Sequence, residues 1–280
     1  MKTPWHTQLT THLEQARAWL TGPTYHDLTY HTVNGRPLSL DLYLPFFQQN
    51  CPLVIYLHGG GWSHGTYKEA GARWLVGHGF AVASVEYRFT SEATFPAQIN
   101  DVKNATLWLK DNATTYHYNA SKIGIFGVSS GGHLAMLAGS ENHPEDPDCP
   151  LVHSVVNLFG ASDLILRSQT QPTHTEPPHS VVHQLLGTSP TQNPQLARQA
   201  SPAFQVHQHS APLLVIHGQQ DQQVKVDQAH RIVEAYQQAN KEVQIDILPH
   251  SGHGGPEFFN KSRRHQIAHF LASHLKPQIT

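Results

Sequence analysis

Apolar residues fall into two textures along the chain, and the change from one to the other predicts the architecture. From Thr24 to Val33, across Asn34-Gly35, and on through Leu38, Leu40, Leu42 and Leu44 alternating with Ser39, Asp41 and Tyr43, the period is two. An Asn-Gly pair between two such runs predicts a β-hairpin with one face in water. Beyond it come continuous apolar runs: Leu53 to Leu57, Phe80 to Val85, Ile123 to Phe126, Val155 to Phe159, and Leu213 to Ile216. Strands covered on both faces need apolar side chains on both, so these runs predict parallel strands.

Between the runs the spacing turns helical, with Ile99, Val102, Ala105 and Leu109 on one face and, later, Ala229, Ile232, Val233 and Tyr236 on another. An alternating strand through Val243, Ile245 and Ile247 then precedes a closing helix with Ile267, Phe270, Leu271 and Leu275 on its apolar face. The predicted fold class is α/β: a mostly parallel central sheet with an antiparallel N-terminal hairpin and helices on both faces, formed by a single domain over residues 1–280. One stretch departs from the pattern. The region around Gln169 to Pro178 is rich in Pro, Thr, Gln and His, and a short helical piece from Val181 to Leu186 ends at Gly187. An excursion this long at the carboxyl end of a strand is where α/β proteins place lids and pockets, so a lid insertion is expected at about 164–211.

Composition narrows the field. With 18 Lys+Arg against 20 Asp+Glu in 280 residues, the formal charge of -2 creates no field to gather a polyanion or an anionic lipid surface, which argues against nucleic acid and membrane as partners. The opening stretch from Met1 to Leu20 has no cationic start followed by an apolar core, and no apolar run reaches the length of a membrane span. Cytoplasm is the default location on that reading. Cys51 and Cys149 are too few for a disulfide scaffold and read as buried or edge thiols. The sequons at Asn104, Asn112 and Asn119 carry meaning only in a secreted eukaryotic chain.

The candidate chemistry sits where strands end. The strand Ile123 to Phe126 runs into Gly127-Val128-Ser129-Ser130-Gly131-Gly132, and helix-forming residues follow from His133 to Ala138. A serine between glycines at a strand-to-helix junction is a nucleophile elbow, whose strained turn projects the hydroxyl free of the sheet. Leu53 to Leu57 leads likewise into His58-Gly59-Gly60-Gly61-Trp62. Acyl transfer needs backbone N–H donors aimed at a developing oxyanion, and the amides of Gly60, Gly61 and Ser130 are the candidates. The loop lacks both the Lys-Ser/Thr ending of a phosphate-binding loop and dinucleotide spacing. Trp62 is expected in the wall of a substrate pocket, and His58 as a brace of its loop.

A base and its orienting acid must follow the serine in the order Ser, Asp/Glu, His. Asp221 stands in the loop leaving Leu213 to Ile216, and His253 lies among glycines after Val243 to Leu248. His250 competes with His253, and Asp163, after Val155 to Phe159, competes with Asp221. Most of the 23 histidines are expected to be polar surface. His179 and His183 have the i, i+4 spacing of a helical metal pair, but neither an HExxH motif nor a Cys-His cluster accompanies them, so no metal is expected.

With those residues placed, the chain from about Leu38 to His253 resembles the hormone-sensitive-lipase-like carboxylesterases, and most closely the Bacteroidetes-derived feruloyl-esterase-like group. The matching stretches are HGGGW at His58 to Trp62, EYRF at Glu86 to Phe89, FPAQINDVKNATLWL at Phe95 to Leu109, GVSSGGHLA at Gly127 to Ala135, ASP at Ala200 to Pro202, and PLLVIHGQQD at Pro212 to Asp221. The resemblance implies an α/β-hydrolase fold, no cofactor, and a small-molecule ester as partner, of short-chain or aryl type and including acyl decorations of plant polysaccharides. It supports Ser129, His253 and Asp221 as a triad, and implies bracing roles for Glu86, Tyr87, Arg88 and Asp101. Ser130 stands where the lipase-like branch usually has Ala, and Gln219-Gln220 replaces charged residues before Asp221. The segment Met1 to Pro23 is too short for the large helical cap of bigger relatives, which predicts a shallow pocket for small acyl groups. Two rival readings are an amidase acting on aryl formamides and a ligand-binding protein that keeps the fold without turnover.

Overall fold

The computed structural model of the protein describes residues 22–46 and 48–276. The N-terminal segment read above as too short for a cap lies outside them through residue 21. The strands are β1 (Tyr25–Val33), β2 (Arg36–Tyr43), β3 (Pro52–Leu57), β4 (Ala81–Val85), β5 (Asn119–Val128), β6 (Asn142–His143), β7 (Asp146–Pro150), β8 (Ser154–Leu158), β9 (Leu213–Gly218) and β10 (Val243–Leu248). The helices are α1 (Ala97–Asp111), α2 (Ser130–Ala138), α3 (Leu164–Thr170), α4 (Val181–Leu186), α5 (Pro194–Gln199), α6 (Asp227–Gln238) and α7 (Lys261–Leu275). Eight strands form one sheet in the order β1-β2-β4-β3-β5-β8-β9-β10. From β4 to β10 every pairing is parallel, while β2 runs antiparallel to both β1 and β4.

The continuous apolar runs follow from two-sided burial. In β3, Leu53, Ile55 and Leu57 face one core while Val54 and Tyr56 face the other, and β9 divides the same way into Leu213 and Val215 against Leu214 and Ile216. Helices α1, α2 and α6 cover the first face through Ile99, Val102 and Leu109, Leu134 and Met136, and Ile232 and Tyr236. Helix α7 covers the second through Ile267, Phe270, Leu271 and Leu275. Side-chain alternation of period two converts each run into two packing surfaces.

Two expectations need correction. Strand β2 has no wet face: Ser39, Asp41 and Tyr43 are as buried as Leu38, Leu40 and Leu42. Its polar side chains are satisfied internally, since Asp41 accepts from Lys68 Nζ at 3.0 Å and from the Asp27 N–H at 2.9 Å. Water meets β1 instead, most of whose residues are exposed or half-buried. The small hairpin β6–β7 carries no apolar alternation and was not predicted. Between β8 and β9 the chain forms three short helices, α3 to α5, where one was expected, each capped by a side chain: Asp163, Ser180 and Asn193. Among the described residues no helix is long and apolar enough to cross a membrane.

Burial separates two aliphatic side chains that the sequence pattern treats alike. Leu271 is fully buried and Ile245, on the edge strand β10, is 39% exposed. Leu271→Ala is expected to lower unfolding free energy by about 2–5 kcal/mol. Ile245→Ala should change it by no more than about 0.5 kcal/mol. Urea titration of both variants checks this.

Candidate active site

Parallel strands bring their carboxyl ends to one edge of the sheet, and the loops leaving β3, β5, β8, β9 and β10 meet there. Ser129 occupies the turn between β5 and α2 with φ 52° and ψ −117°, a conformation that costs a non-glycine residue energy. Its neighbours hold it there: the Ser129 N–H donates to Leu158 O at 2.9 Å and its carbonyl accepts from His133 N–H at 3.0 Å. Gly127 is required by close approach, because a Cβ there would stand 2.0 Å from Gly131 O.

The loop after β3 wraps toward this turn. Gly60 has φ 123°, and a Cβ on it would meet His64 O at 1.9 Å. Its carbonyl accepts from Ser63 and His64, while the amides of Gly60 and Gly61 donate to no protein acceptor among the described residues. The Ser130 amide opens α2, where first-turn N–H groups have no partner within the helix. Tyr87 clamps the loop from beneath, its hydroxyl donating to His58 O at 2.9 Å, and His58 braces it through Nδ1, 2.7 Å from Gly59 O. Burial pushes the Tyr87 hydroxyl well above its ordinary range, so it remains a neutral donor. Arg88 is fixed by a bidentate pair with the buried Asp101, at 2.8 and 2.7 Å.

Asp221 and His253 arrive on loops that are tied together. Gln219 N–H donates to Leu248 O and Gln220 N–H to Ser251 O, both at 2.9 Å, extending the β9–β10 pairing past the strand ends. His253 Nδ1 lies 2.6 Å from Asp221 Oδ2, and His253 Nε2 lies 2.9 Å from Ser129 Oγ. A carboxylate accepts only, so the Nδ1 proton points at Asp221 and the Nε2 lone pair faces the serine hydroxyl. Burial alone would raise the Asp221 pKa, yet hydrogen bonds from His217, His253 and the Val224 N–H outweigh it and hold the carboxyl well below the usual range. The relay can take a proton from Ser129 while Asp221 stays ionised.

The competitors lie elsewhere. Asp163 caps α3 by accepting from Ile165 and Leu166, and pairs with Arg231 at 3.0 Å. His250 is exposed at the start of the loop. His183 Nδ1 faces Glu176 O at 3.0 Å, while His179 is exposed. Ser129, Ser130, His253, Gly60, Gly61 and Trp62 all line one cavity of about 590 Å³, within the size range of small-molecule sites. Trp62 borders it but is only 2% exposed, and its indole N–H donates to His133 Nδ1 at 3.3 Å. It anchors the loop at least as much as it walls the pocket.

Comparison with known proteins follows the same outline. The BD-FAE family model matches residues 40–236, well over half of the chain. The chain belongs to the BD-FAE family. Esterase LipC of Mycobacterium tuberculosis is 30% identical over 233 residues, covering 79% of this chain and 57% of LipC. The chain spans about half the length of the curated relatives it matches. Among solved structures, a truncated carbohydrate esterase from gut microbiota superposes with a TM-score of 0.79 at 27% identity, covering 90% of this chain and 99% of that one. A bifunctional GH43-CE protein of Bacteroides eggerthii does so with a TM-score of 0.79 at 29% identity, over 89% of this chain and 35% of that one. The fold of this BD-FAE protein is that of the α/β-hydrolases.

Two residues at this BD-FAE site carry more than the sequence reading gave them. His217, fully buried, faces Val224 O through Nε2 at 2.7 Å; that nitrogen must carry its proton, and it also reaches Asp221 Oδ2 at 3.3 Å. Its place directly after an apolar strand and four residues before Asp221 was the available signal. Phe159, at the end of β8, adopts φ 45° and sets its ring edge-on to His253 and to Phe258, each with centroids 4.8 Å apart. No sequence pattern distinguishes it from the strand it ends.

The Trp62 anchor yields a test with a definite sign. His133 is fully buried between the Trp62 N–H and Ala200 O, 2.7 Å from its Nε2, and burial lowers its pKa from 6.5 to about 4. The folded state keeps it neutral while the unfolded chain binds a proton below pH 6.5, so stability falls as pH drops from 6.5 towards 4. His133→Gln should show a shallower slope in that window, by up to about 1.4 kcal/mol per pH unit, in urea titrations at stepped pH.

Proposed function

We propose that this protein is a serine carboxylesterase that hydrolyses short-chain or aryl carboxylic esters through an acyl-enzyme. The observation that carries the reading is the continuous relay from Ser129 Oγ through His253 to Asp221, at 2.9 and 2.6 Å, opening into one cavity with the Gly60, Gly61 and Ser130 amides. His253 Nε2 takes the hydroxyl proton as Ser129 Oγ bonds to the ester carbonyl carbon, and Asp221 stabilises the imidazolium. The carbonyl oxygen, now an anion, is held by the three amides. Collapse of this intermediate breaks the bond to the alcohol, which leaves with the proton from His253. Water then attacks the acyl-enzyme, giving its proton to His253, and the carboxylic acid departs as Ser129 regains its hydrogen.

The substrate range rests on the cavity and the relatives. Its volume accommodates a short acyl or an aryl group together with the alcohol half of a small ester. The segment 164–211 contributes Arg167, His174 and Val181 to its lining, and we assign it as the lid that sets acyl preference, within a single domain. The gut-microbiota and Bacteroides eggerthii neighbours, described as carbohydrate esterase and GH43-CE proteins, favour acyl esters on plant polysaccharides as natural substrates.

Purified protein is expected to hydrolyse p-nitrophenyl acetate and butyrate, with rates falling steeply towards decanoate. Aryl formamides and long-chain triglycerides should be turned over slowly or not at all. Ser129→Ala should lower kcat by at least about a thousandfold. Asp221→Asn should cost on the order of a thousand- to ten-thousandfold, because the imidazole loses its required tautomer. A folded wild type inert to every ester contradicts the assignment.

A further inference from the structure

The cavity beside Ser129 holds a charge that ester hydrolysis does not use. Arg167, on α3, is only 3% exposed and borders the cavity. Its hydrogen bond among the described residues runs from Nη2 to Gln223 O at 2.8 Å, and Nε is buried without a partner. Among the described residues no carboxylate is paired with it; Asp221 and Asp227 act on it only through space. Both Asp221 oxygens are already committed, Oδ1 to the Gln223 and Val224 amides and Oδ2 to the two histidines.

A guanidinium has five N–H donors in a planar fork, and burying it against one neutral carbonyl leaves most of its solvation unreplaced. Burial lowers the Arg167 pKa to about 10, so it keeps its proton at neutral pH. Bracing Gln223 accounts for one N–H, and a neutral amide side chain would do that at lower desolvation cost. Among the described residues no Asp, Glu or Lys shares the lining, and Arg167 is the one permanent charge there. A planar, bidentate anion is the ligand a guanidinium fork matches.

We propose that Arg167 forms an anion subsite in this cavity, binding a free carboxylate on the acyl or the alcohol half of the ester substrate. For turnover the inference rests on the esterase reading; for binding it does not. Carboxylate and guanidinium pair in the pocket while Ser129 attacks the ester at its other end, so preferred esters are monoanions.

Two arms locate the carboxylate. The first compares kcat/KM for mono-4-nitrophenyl glutarate with that for 4-nitrophenyl valerate, and the second compares 4-acetoxybenzoate with its methyl ester. In at least one arm the anion should be favoured by about tenfold or more. Arg167→Gln should abolish that ratio and Arg167→Lys should keep part of it, since lysine retains the charge without the fork. A ratio dismisses any general loss of folded enzyme. Binding is read separately on Ser129→Ala protein by calorimetry, with monomethyl glutarate and 4-acetoxybenzoate against their neutral methyl esters. Tighter binding of an anion that disappears in Ser129→Ala/Arg167→Gln supports the subsite even if no ester is turned over, in which case the esterase reading alone fails. Equal handling of anionic and neutral partners in both measurements, or a preference unchanged by Arg167→Gln, overturns the subsite while leaving hydrolysis of neutral esters intact.

Discussion

The turn at Ser129 is the constraint on which the site depends. A non-glycine residue held at φ 52° and ψ −117° stores strain of order 1–3 kcal/mol, and it persists only because the surroundings over-determine it. Strand β5 lies inside the sheet, and its carboxyl-terminal half is paired with β3 on one side and β8 on the other, so the point where the chain leaves it is fixed from both sides. Helix α2 packs directly back onto β5 and β8, and Gly127 allows its first turn to approach. The hydroxyl is thereby projected above the sheet edge at a position set by a strand paired on both sides.

Everything else at the site is arranged relative to that hydroxyl. The Asp221 and His253 loops are cross-bonded as a continuation of the β9–β10 ladder, which transmits strand register to the His253 imidazole. The carboxylate is almost wholly removed from water and remains ionised because hydrogen bonds from two backbone amides and His253, with the His217 Nε2 3.3 Å away, replace its hydration. Phe159 limits the freedom of the His253 ring from the side. Across the cavity, His58, Tyr87, Trp62 and His133 secure the glycine loop without charge, so the Gly60 and Gly61 amides are held by neutral groups.

Much of this was legible in the sequence because it is local. The elbow, the glycine loop and the order of serine, acid and histidine each occupy a few consecutive residues after an apolar run, and parallel topology brings them to one edge. In space Asp221 meets His253, while Asp163 caps a helix and pairs with Arg231. What escaped the sequence depends on tertiary cover. Strand β2 alternates like a half-wet strand, yet Lys68 and the Asp27 N–H satisfy the Asp41 carboxylate of its polar face within the protein. The polar β6–β7 hairpin shows no apolar alternation, and helices α3 and α5 each bury a single apolar residue, Leu164 and Ala197, which sets no helical period. Arg167 reads as one more surface cation until the fold places it against the cavity.

The most direct test of the account is covalent titration of the nucleophile. Diethyl 4-nitrophenyl phosphate is mixed with the protein, released 4-nitrophenolate is counted, and the adduct is located by peptide mass spectrometry. The strained elbow and its relay predict one equivalent of 4-nitrophenolate and a single diethylphosphoryl group on Ser129, formed as His253 accepts the displaced proton. No burst, or a phosphoryl group on another residue while Ser129 stays unmodified, would contradict it.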